Sequence, residues 1–148
     1  MRFSYPCLKQ MTAVGLVAAF VVCISLPTAI RAATLDNKKS FKRAERHLRE
    51  GDFERAEIIL RELLTKDVIN HDARLALSFA LLKQRRLQEA YDHAARVLVA
   101  NPTSARAHAL LGQAILASGD FKESVEEFRT ALAIDEDEAM AVAGLAMV

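Results

Sequence analysis

The chain has 148 residues, enough for one modest domain, and 52% of them are hydrophobic, a rich fraction for a soluble fold. All 19 acidic residues lie at or beyond Asp36, and only Arg2, Lys9 and Arg31 carry charge before it, so the formal +1 becomes −2 after Ala32, from 17 basic and 19 acidic residues. That balance is not the basic excess that nucleic-acid binding calls for.

Residues 1–32 are organised for export. Met1 to Gln10 carries Arg2 and Lys9, and Met11 to Leu26 is an uncharged run, MTAVGLVAAFVVCISL, with only Thr12 and Ser25 polar. Pro27 ends any helix there, and Thr28-Ala29-Ile30-Arg31-Ala32-Ala33 offers small residues at which a signal peptidase cuts. A sixteen-residue helix rises ~24 Å, short of the ~30 Å hydrocarbon core. The segment therefore predicts a signal peptide cleaved after Ala32 or Ala33, and an extracytoplasmic (periplasmic or secreted) mature chain. The alternative is an uncleaved signal-anchor, which Arg31 beside the cut allows; the membrane is then engaged through this segment alone. Cys7 and Cys23 both fall inside it, so the mature chain has no disulfide staple and relies on helix packing. Cys23 follows Phe20-Val21-Val22, without the small residue that lipid attachment needs.

After a polar linker over 33–36, with Asp36 or Asn37 placed to cap a helix, the remainder divides into units of 34 residues: 37–70, 71–104 and 105–138. Each predicts two amphipathic helices and a turn. The first unit turns at Glu50-Gly51-Asp52-Phe53, and its second helix carries Phe53, Ala56, Leu60, Leu63 and Leu64 at steps of three and four. Its first helix, KKSFKRAERHLRE, is polar apart from Phe41, Ala44 and Leu48, as suits an outer helix with few neighbours. The second unit turns at Gln84-Arg85-Arg86-Leu87, which places Arg85 where glycine would adopt a left-handed backbone without penalty. Pro102 biases Asn101 away from helix, and Ser104 can cap the next one. The third unit turns at Ser118-Gly119-Asp120-Phe121, with Asp120 and Glu123 spaced as an N-cap and its capping-box partner. Residues 139–148, AMAVAGLAMV, then begin a fourth unit with its first helix. That helix is almost wholly apolar, which predicts that the chain is the N-terminal part of a longer protein.

With Leu77, Leu81, Ala90, Ala94, Val97 and Pro102 in one frame and Leu111, Gly112, Ile115, Gly119, Phe128 and Ala131 in the next, the chain resembles the tetratricopeptide repeat (TPR) family. The resemblance spans 102 residues without insertion; His108, Ser124 and Glu136 depart from the pattern. It implies an all-α fold, a right-handed superhelical solenoid of antiparallel helix pairs, preceded here by the signal peptide. It also implies a concave wall built from the first helix of each unit. That wall would include Phe41, Glu45 and Leu48, then Leu75, Phe79, Leu82 and Lys83, then Arg106, Ala109, Gln113 and Leu116. A two-carboxylate clamp for peptide tails is a known ligand mode of the family. Its slots fall here on Phe41, Glu45, Ala76, Arg106 and Leu110, of which Arg106 alone keeps a suitable charge, so that clamp is absent. The groove that remains has an apolar middle (Phe41, Leu75, Phe79, Leu82) suited to an extended or helical peptide.

Chemistry is sparse. His47, His71, His93 and His108 show no three- or four-residue pairing, which predicts no metal site. The run Asp135-Glu136-Asp137-Glu138 lacks the glycine of a calcium loop and precedes a helix, where negative charge is favourable in itself. There is no phosphate-binding glycine loop, no G-x-S-x-G and no H-E-x-x-H, so no enzyme activity and no cofactor are expected of these residues. Charge runs from nine basic and seven acidic residues in the first unit to three and eight in the third, an asymmetry that could steer a charged partner. The function expected is a non-catalytic scaffold that binds a protein or peptide, with self-association as a further possibility. The alternative is the docking arm of a larger enzyme whose catalytic domain follows residue 148.

Overall fold

The 34-residue period becomes a stack of helices because each unit has one helix whose apolar stripe needs covering on two sides. The structure is a computed structural model and describes residues 34–148; the expected signal peptide, residues 1–32, lies outside the described residues. Among the described residues there are seven helices and no strand: α1 (34–50), α2 (Phe53–Lys66), α3 (His71–Lys83), α4 (Leu87–Ala100), α5 (Ala105–Ser118), α6 (Phe121–Ile134) and α7 (Ala139–Leu145). Residues 37–148 form one compact unit. α1 is already helical at residue 34, so the polar linker expected over 33–36 gives way there to helix. No glycine or proline falls between residues 33 and 50 to stop it, and Asp36 and Asn37 weaken a helix by only a few tenths of a kcal/mol.

Each helix from α2 onward packs against its successor, and α5 also packs on α3 and α7. By contrast, no backbone contact joins α2 to α4 or α4 to α6. First helices therefore stand closer together than second helices, which curves the stack and makes the α3–α5–α7 side the inner wall. Burial follows from this placement. Flanked by α2, α4 and α5, α3 buries Ala73, Leu75, Ala76, Leu77, Ser78, Ala80, Leu81 and Leu82, whereas α4 buries only Ala90, Ala94 and Val97.

The turns match their residues. Gly51 and Gly119 have φ +80° and +101°, and Arg85 is driven into the same region at φ 64°. Asp52, Asn70, Ser104 and Asp120 cap α2, α3, α5 and α6, each side chain accepting a backbone N–H bond inside the first turn. Arg86 occupies the corresponding place before α4 and gives no such bond. Ser78, fully buried, donates its hydroxyl to the carbonyl of Ala90 at 2.8 Å and fastens α3 to α4.

Candidate functional site

The inner wall opens into a cleft of about 220 Å³ where α1, α3 and α5 converge, lined by Phe41, Glu45, Leu48, Asp72, Leu75, Ala76 and Arg106. Register explains why these residues meet. Phe41, Glu45 and Leu48 fall on one side of α1; Asp72, Leu75 and Ala76 occupy the first two turns of α3; Arg106 opens α5. The floor is apolar and the rim carries two carboxylates and one guanidinium. Among the described residues, Glu45, Asp72 and Arg106 form no ion pair, so all three charges face solvent and any ligand that enters.

Of the eleven residues expected on the wall, the structure gathers Phe41, Glu45, Leu48, Leu75 and Arg106 at this cleft and sends the others elsewhere. Leu82 is 9% exposed and Leu75 6%, so the apolar middle expected from the sequence is largely taken up by the solenoid's own core. Having neighbours on both sides, α3 has little surface left to offer. Phe79 is half-buried and meets Phe53 edge-on, centroids 6.3 Å apart, while Lys83 sits with Nζ 5.1 Å over the Phe79 ring. Gln113 donates to the Met140 carbonyl at 3.5 Å and so helps hold α7. Ala109 is fully buried, and Leu116 packs into the same small core as Phe128. Asp72, absent from the expected set, reaches the rim because it sits one residue into α3, beside the mouth between α1 and α5.

The cleft brings together Phe41, Glu45, Ala76 and Arg106, four of the five positions at which the resemblance placed the slots of a carboxylate clamp. Three of these positions carry an apolar ring, a carboxylate and a methyl.

A charged cluster lies elsewhere, at the junction of the first two units. Glu57 accepts from Arg61 Nε (2.8 Å), Arg86 Nη1 (2.6 Å) and Gln84 Nε2 (2.9 Å), and Arg86 binds Glu89 through two parallel bonds of 2.6 Å. Arg61 also reaches Glu89 at 3.0 Å. Partial burial pushes the Glu57 carboxyl up, but bonds from Arg61, Gln84 and Arg86 outweigh it and hold the group below its ordinary range. The bond from Arg86 does the same for Glu89. Arg86 is fixed in its charged form by Glu89 and then by Glu57. Each charged side chain of the cluster is bonded to another within it, so the cluster joins helices.

The histidines are placed singly. His108 lies 2.7 Å from Glu127 and 3.1 Å from the Pro102 carbonyl, bridging α5 to α6 and to the preceding loop. Burial and the nearby Arg74, Arg61 and Arg96 charges lower His93 and favour its neutral form. Among the described residues no group of three or more His, Cys, Asp or Glu side chains could hold a metal ion, and no helix is long and apolar enough to cross a membrane.

Stacked antiparallel pairs, left-handed turns and a first-helix inner wall define a helical-repeat solenoid. Residues 47–114 match the family model described as Tetratricopeptide repeat. The chain is a TPR-containing protein. No curated protein is matched by its sequence. Its fold is similar to the TPR domain of Arabidopsis OM64, at 15% identity and a TM-score of 0.69, over 75% of this chain and 92% of that one. It is also similar to the second TPR domain of human RPAP3 in complex with an HSP70 peptide, at 22% identity and a TM-score of 0.68, over 78% and 96%. A Thermobaculum terrenum O-GlcNAc transferase mutant shares the fold at 23% identity and a TM-score of 0.73, over 78% of this chain but 22% of that one.

Proposed function

We propose that the chain is a non-catalytic scaffold that receives a segment of a partner protein in the cleft between α1, α3 and α5. The observation that carries this reading is the cleft itself: an apolar floor of Phe41, Leu48 and Leu75 under three charges that have no internal ion pair. At about 220 Å³ it is smaller than the ~300–1,000 Å³ typical of small-molecule sites, and suits one or two side chains of a longer segment running along the wall. The RPAP3 domain, solved with a peptide, supports the general mode. The surroundings of this cleft differ from a carboxylate clamp, so the segment favoured here pairs an apolar side chain with a basic one.

A panel of labelled peptides, each with one large apolar residue flanked by lysines or by glutamates, tests this by fluorescence anisotropy. Lysine-flanked peptides should bind more tightly, and Phe41→Asp should weaken them at least tenfold, while Val99→Asp on the exposed side of α4 leaves binding unchanged. Equal losses from both changes, or no binding by any peptide, would defeat the groove reading.

The second part of the reading is location outside the cytoplasm, supported by Arg2 and Lys9 ahead of the apolar run at 11–26 and by the small residues up to Ala33. N-terminal sequencing of the protein from its native cell should begin at Ala33 or Thr34; a retained Met1 would leave the signal-anchor alternative.

A further inference from the structure

We propose that the outer face of α1 docks, in a second copy of this chain, into a cleft between α4, α5 and α6, joining copies head to tail. This does not depend on the concave cleft above.

The donor surface is one side of α1. Lys38, Lys39, Lys42, Arg43, Arg46 and Arg49 are all exposed. At 3.6 residues per turn they fall within an arc of about 140°, facing away from the buried Ala44. The one ion pair that these six make among the described residues is Arg46 with Glu50, at 3.9 Å. The other side of α1 is held in the core through Phe41, Ala44 and Leu48, so the helix is fixed and presents its cations as a rigid row.

The acceptor is a cleft of about 390 Å³ where α4 meets the α5–α6 turn, and its walls include Leu87 and Tyr91 of α4, Ile115 and Ser118 of α5, and Asp120 and Glu123 at the start of α6. Its base is apolar, Ile115 being 6% exposed, and its rim is acidic. Asp120 caps α6 by accepting from the Glu123 N–H at 3.1 Å. Neither carboxylate has a cation partner among the described residues, and the Tyr91 hydroxyl makes no hydrogen bond there. This combination suits lysine and arginine in particular. Their methylene stems lie against Leu87 and Tyr91, the charged heads reach Asp120 and Glu123, and the tyrosine ring accepts a cation on its face.

A second copy supplies what fits. The first unit carries nine basic and seven acidic residues and the third three and eight, so the two ends of the stack attract each other between molecules. Within one molecule they cannot meet, because α1 is packed into the first unit. Two different surfaces make a heterologous contact, so growth is open-ended unless the rotation closes a ring.

The test is sedimentation velocity of the full chain in non-ionic detergent. Mass should rise with protein concentration at low salt and fall back to monomer at about 0.5 M salt, where charges a few ångströms apart are already screened. Lys42→Glu with Arg46→Glu should give a monomer, and so should Gln88→Lys with Glu123→Lys, each retaining full helical circular dichroism. Mixing the two variants should restore association, since each keeps one intact partner surface. A monomeric wild type at low salt, variants that associate as well as wild type, or a mixture that stays monomeric would overturn the proposal. So would a wild-type monomer whose α1 charges are needed to bind anionic vesicles, which would assign the face to a membrane surface.

Discussion

Two joints in this stack differ in what fastens them beyond a shared apolar core. Between the first and second units, α2 shares an apolar core with α3 and is fastened in addition to the α3–α4 turn by Glu57, Arg61, Gln84, Arg86 and Glu89, a web of charged hydrogen bonds at the surface. Between the third unit and α7 the fastening is apolar. Phe128 is fully buried, and its ring lies against Gly112 of α5 and Gly144 of α7. A Cβ built on Gly112 would stand 2.8 Å from the ring. A polar joint depends on ionisation and tolerates changes of volume; a packed joint tolerates salt and acid and fails when volume changes. The repeat fixes where helices meet, and the side chains at each meeting decide what can part them.

The sharpest way to break the contrast is at the apolar joint. Phe128→Ala removes the ring that α5, α6 and α7 share, and should cost about 3–5 kcal/mol, read from the urea midpoint. Gly112→Val attacks the same contact from the other side. It forces a branched side chain against the ring and should cost about 1–3 kcal/mol. Combined with Phe128→Leu, the valine has space to occupy, so the double change should cost less than the sum of the single ones. Additive losses would show that the ring and the glycine do not share a contact in solution.

The polar joint should give way less and respond to pH. Glu57 is its hub, and Glu57→Gln should cost about 1 kcal/mol, kept small because the arginines that bind it are partly exposed to water. The sign of the pH effect follows from a carboxyl held below its usual 4.5. Stability from Glu57 is fully present above that value and is lost as pH falls through the lower native one. The wild-type urea midpoint should therefore drop below about pH 4.5 more steeply than that of Glu57→Gln. Parallel pH curves would mean that the web contributes nothing.

Much of this was legible in the sequence, and the difference between the joints explains which part. The frame and the caps at Ser104 and Asp120 follow from local residue types, which act within a turn or at a fixed slot of the repeat. The web at Glu57 joins residues 27 to 29 positions apart, and nothing in a helical pattern says which exposed glutamate faces which arginine. The groove was half legible for a similar reason. Phe41, Glu45 and Arg106 could be placed by slot, but Leu75 and Leu82 have the same slot geometry and are buried, because α3 has neighbours on both sides. Gly144 lies against Phe128 although it sits in a different slot from Gly112. Only the path of α7 brings it there.

The smallest expected effect tests how the polar joint relates to its own turn. Arg85 holds φ 64°, in a region that Gly51 and Gly119 enter freely, and the bonds of its neighbours Gln84 and Arg86 to Glu57 help to hold it there. Arg85→Gly relieves about 1–2 kcal/mol of left-handed strain. It also gives the unfolded chain more freedom, which offsets about 0.4–1 kcal/mol. The net should be a gain of a few tenths to about 1 kcal/mol, measured against wild type in urea. In a Glu57→Gln background, where the turn is less firmly held, the strained residue can relax and the same change should gain less. An equal gain in both backgrounds would show that the charged web and the strained turn are independent.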